Sequence, residues 1–354
     1  MSTYKIGISG LRRGASLARV LALFPDCTIT AACDPDAARL EAFGARYPKA
    51  RLAAGYDEML ALDLDIVVVA TPVPLHCRQS IAALEAGCHV LQEVTLGQTL
   101  DECRTLLDAV RAHPDRKFML AENCCYWAHV LSWQEMYAHG MIGTLTYAEA
   151  EYVHDVRSLM RGADGTPTWR ASLPPIHYCT HSLGPLLWVT GERCVSACGL
   201  AGPPSAETAP GTPGIEVGLF QTASGAVIKV LCGFAVTREP SFHYYSIYGT
   251  AGCLETARPP HDERTYAYSE HIPHLSGMVG MPLHRSRPDA PAGAALGGHG
   301  TAEYDMIQAF LHAVREDTAP PIDIYGALDM ALPGLCAHQS ALQGGTPIPI
   351  PDWR

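Results

Sequence analysis

The chain opens with an apolar strand that runs directly into a glycine turn. Lys5-Ile6-Gly7-Ile8-Ser9-Gly10-Leu11-Arg12-Arg13-Gly14 leads into the helical run Ala15 to Leu23, and a second apolar strand, Thr28 to Cys33, ends on Asp34. Strand, turn, helix, strand and terminal acid in this order form the layout of a dinucleotide-binding βαβ unit. Gly10 permits the tight turn, and Gly14 lets the helix lie close to the strand. The helix N-terminus offers amides to a pyrophosphate. Asp34 stands roughly twenty residues on, where a carboxylate accepts from an adenosine ribose hydroxyl and repels a 2′-phosphate, which favours NAD over NADP. The second glycine of the G-x-G-x-x-G pattern is replaced by Arg12, so Arg12 and Arg13 become candidates to reach over the phosphates.

A length of 354 residues suggests two domains. A net charge of −11 implies no basic surface for nucleic acid or an anionic membrane. No apolar stretch reaches the eighteen or so residues of a membrane span. The first strand begins too near the start for a signal peptide, so a cytoplasmic location is expected. The thirteen cysteines are scattered and contain no C-x-x-C pair, which reads as free thiols rather than a thiolate zinc site.

Strand and helix alternate through the first third. Ile66 to Ala70 is an apolar strand ending in Thr71-Pro72; a helix, Leu75 to Ala86, follows; then come strand His89 to Gln92, helix Leu100 to Val110 and strand Phe118 to Ala121. This pattern predicts an α/β fold with a parallel, doubly wound sheet over residues 1–123. Residues 124–354 read differently. After a helix at Val130 to His139, strand-like runs crowd together at Thr144 to Val153, Val195 to Leu200, Glu216 to Thr222, Val227 to Phe234 and Tyr244 to Gly249. Short turns between them predict a mainly antiparallel sheet. Helices return at Ala302 to Arg315 and Tyr325 to Leu342, and the segments 202–214 and 281–300 read as long loops.

Ala70-Thr71-Pro72 with His76, Ala86-Gly87-Cys88-His89-Val90, Glu93, and Tyr248-Gly249-Thr250-Ala251-Gly252 with Leu254-Glu255 together resemble the glucose–fructose oxidoreductase / inositol dehydrogenase (Gfo/Idh/MocA) family along the whole chain. The resemblance implies a Rossmann domain, a second α/β domain with a large open antiparallel sheet that commonly makes homo-oligomers, and C-terminal helices that pack back toward the first domain. The chain departs from the family's usual dehydrogenases at two places. Glu93-Val94-Thr95 stands where they carry Glu-Lys-Pro, and His177-Tyr178-Cys179-Thr180-His181 stands where they carry an Asp-x-x-x-His dyad.

Four further segments are similar to the branch of NAD-dependent α-N-acetylgalactosaminidases. They are Glu122-Asn123-Cys124-Cys125-Tyr126, Tyr152-Val153-His154-Asp155, Tyr178-x-Thr180-His181-Ser182-Leu183-Gly184-Pro185, and Gly297-Gly298-His299-Gly300. Carried over from that branch, Tyr178 and His181 line the site as catalytic groups, with His181 the base. The expected cofactor contacts are Gly10, Arg12, Arg13, Gly14, Asp34, Thr71, Pro72, His76, Glu93 and Asn123. The expected substrate contacts are Tyr152, His154, Asp155, His177 and His299. His177, His181, His154 and Asp155 also have spacing compatible with a divalent metal, but polar walls for a sugar are the favoured reading, so no metal is expected. The implied activity is NAD-dependent carbohydrate chemistry: redox-neutral glycoside cleavage, or simple dehydrogenation of a sugar or polyol. A non-catalytic nucleotide sensor is the alternative outside enzymology.

Overall fold

Ile66-Val67-Val68-Val69 buries every side chain, as only a strand covered on both faces does. In the computed structural model, which describes residues 3–260 and 264–354, this strand lies inside a six-stranded sheet. Its members are β1 (Tyr4–Ser9), β2 (Cys27–Cys33), β3 (Arg51–Ala53), β4 (Ile66–Val69), β5 (His89–Gln92) and β6 (Phe118–Leu120). The order is β3-β2-β1-β4-β5-β6, and every pairing is parallel. The connecting helices are α1 (Leu11–Leu21), α2 (Ala37–Arg46), α3 (Tyr56–Leu60), α4 (His76–Glu85) and α5 (Leu100–Ala112). A capping box between Thr99 and Glu102 starts α5. Chain order reverses between β1 and β4, which opens the crevice where doubly wound sheets bind ligands.

The chain continues through α6 (Ala128–Ala138), β7 (Leu145–Val153), α7 (Thr180–Thr190), β8 (Cys194–Ala201), β9 (Ile215–Thr222), β10 (Val227–Gly233), β11 (Phe242–Gly249), β12 (Gly252–Thr256), β13 (Arg264–Ser269) and β14 (Val279–Pro282). It ends with α8 (Ala302–Arg315), α9 (Ile324–Leu342) and β15 (Ile348–Pro349). The second sheet has nine strands in the order β14-β13-β12-β11-β7-β10-β9-β8-β15. It is mixed: β7 and β10 pair in parallel, and the other neighbours are antiparallel. One face is packed through Ala148, Ala150, Phe220, Ile228, Val230, Ile247 and Leu254, all at most 1% exposed. The other face carries a charged ladder in which Lys229 pairs with Glu149 at 2.6 Å and Arg258 with Glu151 at 2.7 Å.

Two compact units result. The first is Met1–Trp127 with Arg285–Leu328, and the second is Ala128–His284 with Asp329–Arg354. The segment Arg285–Leu328, which contains α8, thus clusters with the parallel sheet. In the first unit Leu120 N–H donates to Ile322 O at 3.0 Å, and Phe24 stacks on Tyr304 with ring centroids 5.1 Å apart. All thirteen cysteines are free thiols. Among the described residues no helix is long and apolar enough to cross a membrane.

Candidate functional site

In the first unit Gly10 has φ 86°, and a Cβ there would lie 2.5 Å from the Ala70 carbonyl oxygen, so only glycine fits between β1 and β4. A Cβ on Gly14 would lie 2.6 Å from Ile8 Cγ2, which accounts for the close packing of α1 on β1. The first turn of α1 itself holds no acidic side chain, so the positive end of its dipole favours an anion. The residues present thus fit a dinucleotide: a glycine turn, an anion-favouring helix end and an acid at the end of β2.

That acid is already engaged. Asp34 accepts from Leu11 N–H at 2.7 Å and Asp36 N–H at 2.9 Å, with Arg39 at 3.4 Å. It locks the turn and keeps spare lone pairs for a ribose hydroxyl. Thr71 donates to Gln79 Oε1 at 2.9 Å, and Pro72 precedes the 3₁₀ turn Val73–Leu75. His76 braces two backbone carbonyls. Its Nδ1 faces Thr95 O at 2.8 Å and its Nε2 faces Thr71 O at 2.7 Å. Satisfying both carbonyls requires both nitrogens protonated, while complete burial pushes the imidazole pKa down. Asn123 is buried in the 3₁₀ turn Asn123–Tyr126 that follows β6. Arg12 is exposed on α1.

Arg13 does not stand open over a phosphate site. Its Nε donates to Glu93 at 2.7 Å, its Nη2 to Glu303 at 2.8 Å, and its Nη1 to Gly297 O at 3.0 Å. Glu303 in turn accepts from His299 Nδ1 at 2.5 Å. Burial alone would raise the Glu303 carboxyl, but the His299 hydrogen bond and the Arg13 charge bring it down to about 2. Sequence reading singled out Arg13, Glu93 and His299 separately. Glu303, which joins them, lies in the first turn of α8.

The second unit gathers the imidazoles and phenols. Tyr178 lies in the 3₁₀ turn Pro175–Tyr178 and His181 in the first turn of α7, so they do not share one helix, yet their ring centroids are 5.2 Å apart. Tyr152, from β7, sits edge-on to His181 at 5.6 Å, and its hydroxyl meets His154 Nδ1 at 2.9 Å. Burial first, then the Arg170 charge, lowers the His154 pKa. Tyr245 donates to the His181 backbone carbonyl at 2.6 Å, fixing the start of α7. His243 completes the group: it stacks on Tyr152 at 4.1 Å and lies 5.9 Å from His181. Sequence reading missed it by starting the strand at Tyr244. The strand begins two residues earlier, and its antiparallel register sets His243 directly opposite Tyr152.

Two expected members are turned to other partners. Asp155 is clamped by Arg157, with contacts of 2.6 and 2.9 Å, and that hydrogen bonding lowers its pKa. His177 is buried edge-on against His338 at 5.0 Å, and His338 Nδ1 meets Glu216 at 2.7 Å. Burial and then His338 push His177 down to about 3. The unfolded chain's imidazole protonates near 6.5. Stability is therefore full above that pH and falls as the pH drops toward 3, by up to about 1.4 kcal/mol per unit from this group. Urea denaturation at pH 7 and pH 5 should show this slope, and His177→Phe should flatten it; an equal slope in both proteins would exclude His177 as its source.

Comparison with known proteins matches residues 4–121 to the oxidoreductase family with an NAD-binding Rossmann fold and residues 215–354 to the C-terminal domain of glycosyl hydrolase 109. A glycosyl hydrolase family 109 protein of Solibacter usitatus is 29% identical, covering 99% of this chain and 88% of its own. An alpha-N-acetylgalactosaminidase of Bacteroides fragilis is 25% identical, covering 82% and 75% respectively. Levoglucosan dehydrogenase, solved with NADH and levoglucosan, shares the fold with a TM-score of 0.83 at 17% identity, covering 99% of this chain and 100% of that one. Myo-inositol 2-dehydrogenase from Lactobacillus plantarum does so with a TM-score of 0.77 at 20% identity, with coverages of 99% and 100%.

Proposed function

Because the chain belongs to the Gfo/Idh/MocA oxidoreductase family, in the branch that carries the glycosyl hydrolase 109 C-terminal domain, and is thus an NAD-dependent enzyme, we propose that it cleaves glycosides of an N-acetylated sugar by a redox-neutral route. The supporting observation is the Tyr152–Tyr178–His181–His243 cluster, which offers imidazoles and phenols rather than the paired carboxylates an ordinary glycosidase uses. Asp155, the neighbouring carboxylate in sequence, is held by Arg157.

NAD, when bound, would supply a reversible hydride acceptor: oxidation at C3 would acidify the C2–H and so permit elimination of the anomeric substituent, addition of water and return of the hydride. His181 is the base that takes the substrate proton, since an imidazole works near neutral pH. The Tyr178 hydroxyl donates to the developing enolate oxygen. Tyr152 and His154 bind sugar hydroxyls, and His243 fixes the plane of Tyr152. Gly10 and Gly14 shape the NAD turn. Arg12 serves the pyrophosphate, Asp34 the adenosine ribose, and Glu93 the nicotinamide ribose. Thr71, Pro72 and Asn123 form the remaining wall, braced by His76. Val94 cannot act as a base, which weighs against a lysine-assisted dehydrogenase.

The test is an aryl N-acetyl-α-galactosaminide incubated with the enzyme and catalytic NAD in deuterated water. Release of the aglycone, deuterium at C2 of the product and no net NADH are expected. Stoichiometric NADH without bond cleavage would replace this reading with that of a sugar dehydrogenase.

A further inference from the structure

The Arg13 guanidinium bonds to three segments that are remote in sequence: Glu93 at the end of β5, Glu303 in the first turn of α8, and the Gly297 carbonyl in the turn before α8. Glu303 is fully buried and holds His299 through Nδ1. A Cβ on Gly297 would lie 2.6 Å from the Glu303 side chain, so the turn is cut to admit this carboxylate. Burial works against the guanidinium charge, and Glu93 and Glu303 more than reverse it. Arg13 is therefore shared between two carboxylates with different duties.

We propose that Arg13 is a positioning residue that couples occupancy of the cofactor pocket at Glu93 to the hold on the Gly297–Gly300 turn and its His299. The proposal rests on the assignment of Glu93 to the nicotinamide ribose. When Glu93 accepts from a ribose hydroxyl, its claim on the guanidinium weakens and Arg13 leans toward Glu303 and Gly297. The turn tightens, and His299 is fixed by its Nδ1 bond with Nε2 directed outward. By linkage, the factor by which bound NAD favours the tight turn is the factor by which the tight turn favours NAD.

Hydrogen exchange of residues 294–300 in the full-length protein, with and without saturating NAD, tests this. In the wild type NAD should slow exchange there. In Arg13→Met the turn should exchange on the order of tenfold faster without NAD, the scale of losing a charge-assisted hydrogen bond. NAD should then bind without restoring protection. A purely structural role for Arg13 would give the first effect and leave the NAD-dependent slowing intact. Arg13→Lys keeps the charge, reaches one carboxylate at a time and should show an intermediate response; it also serves if the methionine variant does not fold. Wild-type exchange with and without NAD in a folded, NAD-binding variant would overturn the proposal. Wild-type protein that binds no NAD at all would instead overturn the reading on which it rests.

Discussion

His181→Ala lowers kcat/KM for glycoside cleavage by on the order of 10²–10⁴, the range contributed by one general base, and most of the loss falls on kcat. NAD binding, a property of the first unit, stays at its wild-type level. The size of the effect follows from the surroundings of this imidazole. It is half-buried at the start of α7, with Tyr152 and Tyr178 both edge-on to its ring and its backbone carbonyl tied to Tyr245. A base held this way incurs little reorganisation when the substrate arrives. Truncation to alanine also removes packing, so His181→Phe is the decisive companion: it retains a ring among the neighbouring rings and removes the proton acceptor. Equal losses in the two variants assign the effect to proton transfer. Activity in His181→Phe within about threefold of wild type, well short of the contribution of a general base, would remove His181 from the chemistry.

The parallel sheet was legible because its signals are local. Ile66 to Val69 is β-branched throughout, and the Gly10 turn, Asp34 and the helix between them lie within one βαβ unit, where spacing alone fixes geometry. The second sheet was legible in its crowded strands and not in its pairing. The parallel contact of β7 with β10 joins segments about eighty residues apart, a separation that no periodicity records. The site divides along the same line. Tyr178 and His181 stand out together through the resemblance to the branch, whose Tyr-x-Thr-His element they carry within one short segment. His243 is set against Tyr152 only by strand register, and Glu303 meets Arg13 across 290 positions of chain. His177 misled for the same reason. Its place in the His177-Tyr178-Cys179-Thr180-His181 segment suggested a site wall, but a 3₁₀ turn points successive side chains in different directions. His177 goes to His338, and Tyr178 to His181.

Glu216→Ala destabilises the protein by on the order of 3–5 kcal/mol, the scale of removing one partner from a buried carboxylate–imidazole pair. Glu216 is almost wholly buried on β9, and its two oxygens serve two segments: Ile176 N–H at 3.1 Å and His338 Nδ1 at 2.7 Å. Alanine leaves both groups without their acceptor: the Ile176 N–H is orphaned in the interior, while His338 is partly exposed and carries the smaller share of the cost. For a chain of this size the loss corresponds to a fall in Tm of roughly 5 °C. Glu216→Gln, which retains a carbonyl for one of the two donors, should fall between alanine and wild type. Replacing both Glu216 and His338 by leucine should recover much of the loss, since a buried pair is costly mainly when half of it remains. The turn held by the Ile176 bond is the one that presents Tyr178. Glycosidase activity measured well below the lowered Tm should therefore drop in Glu216→Ala and recover in part in Glu216→Gln, ahead of any global unfolding. A Tm for Glu216→Ala within about 1 °C of wild type, less than a single kcal/mol on this scale, would mean that the carboxylate does not carry this turn.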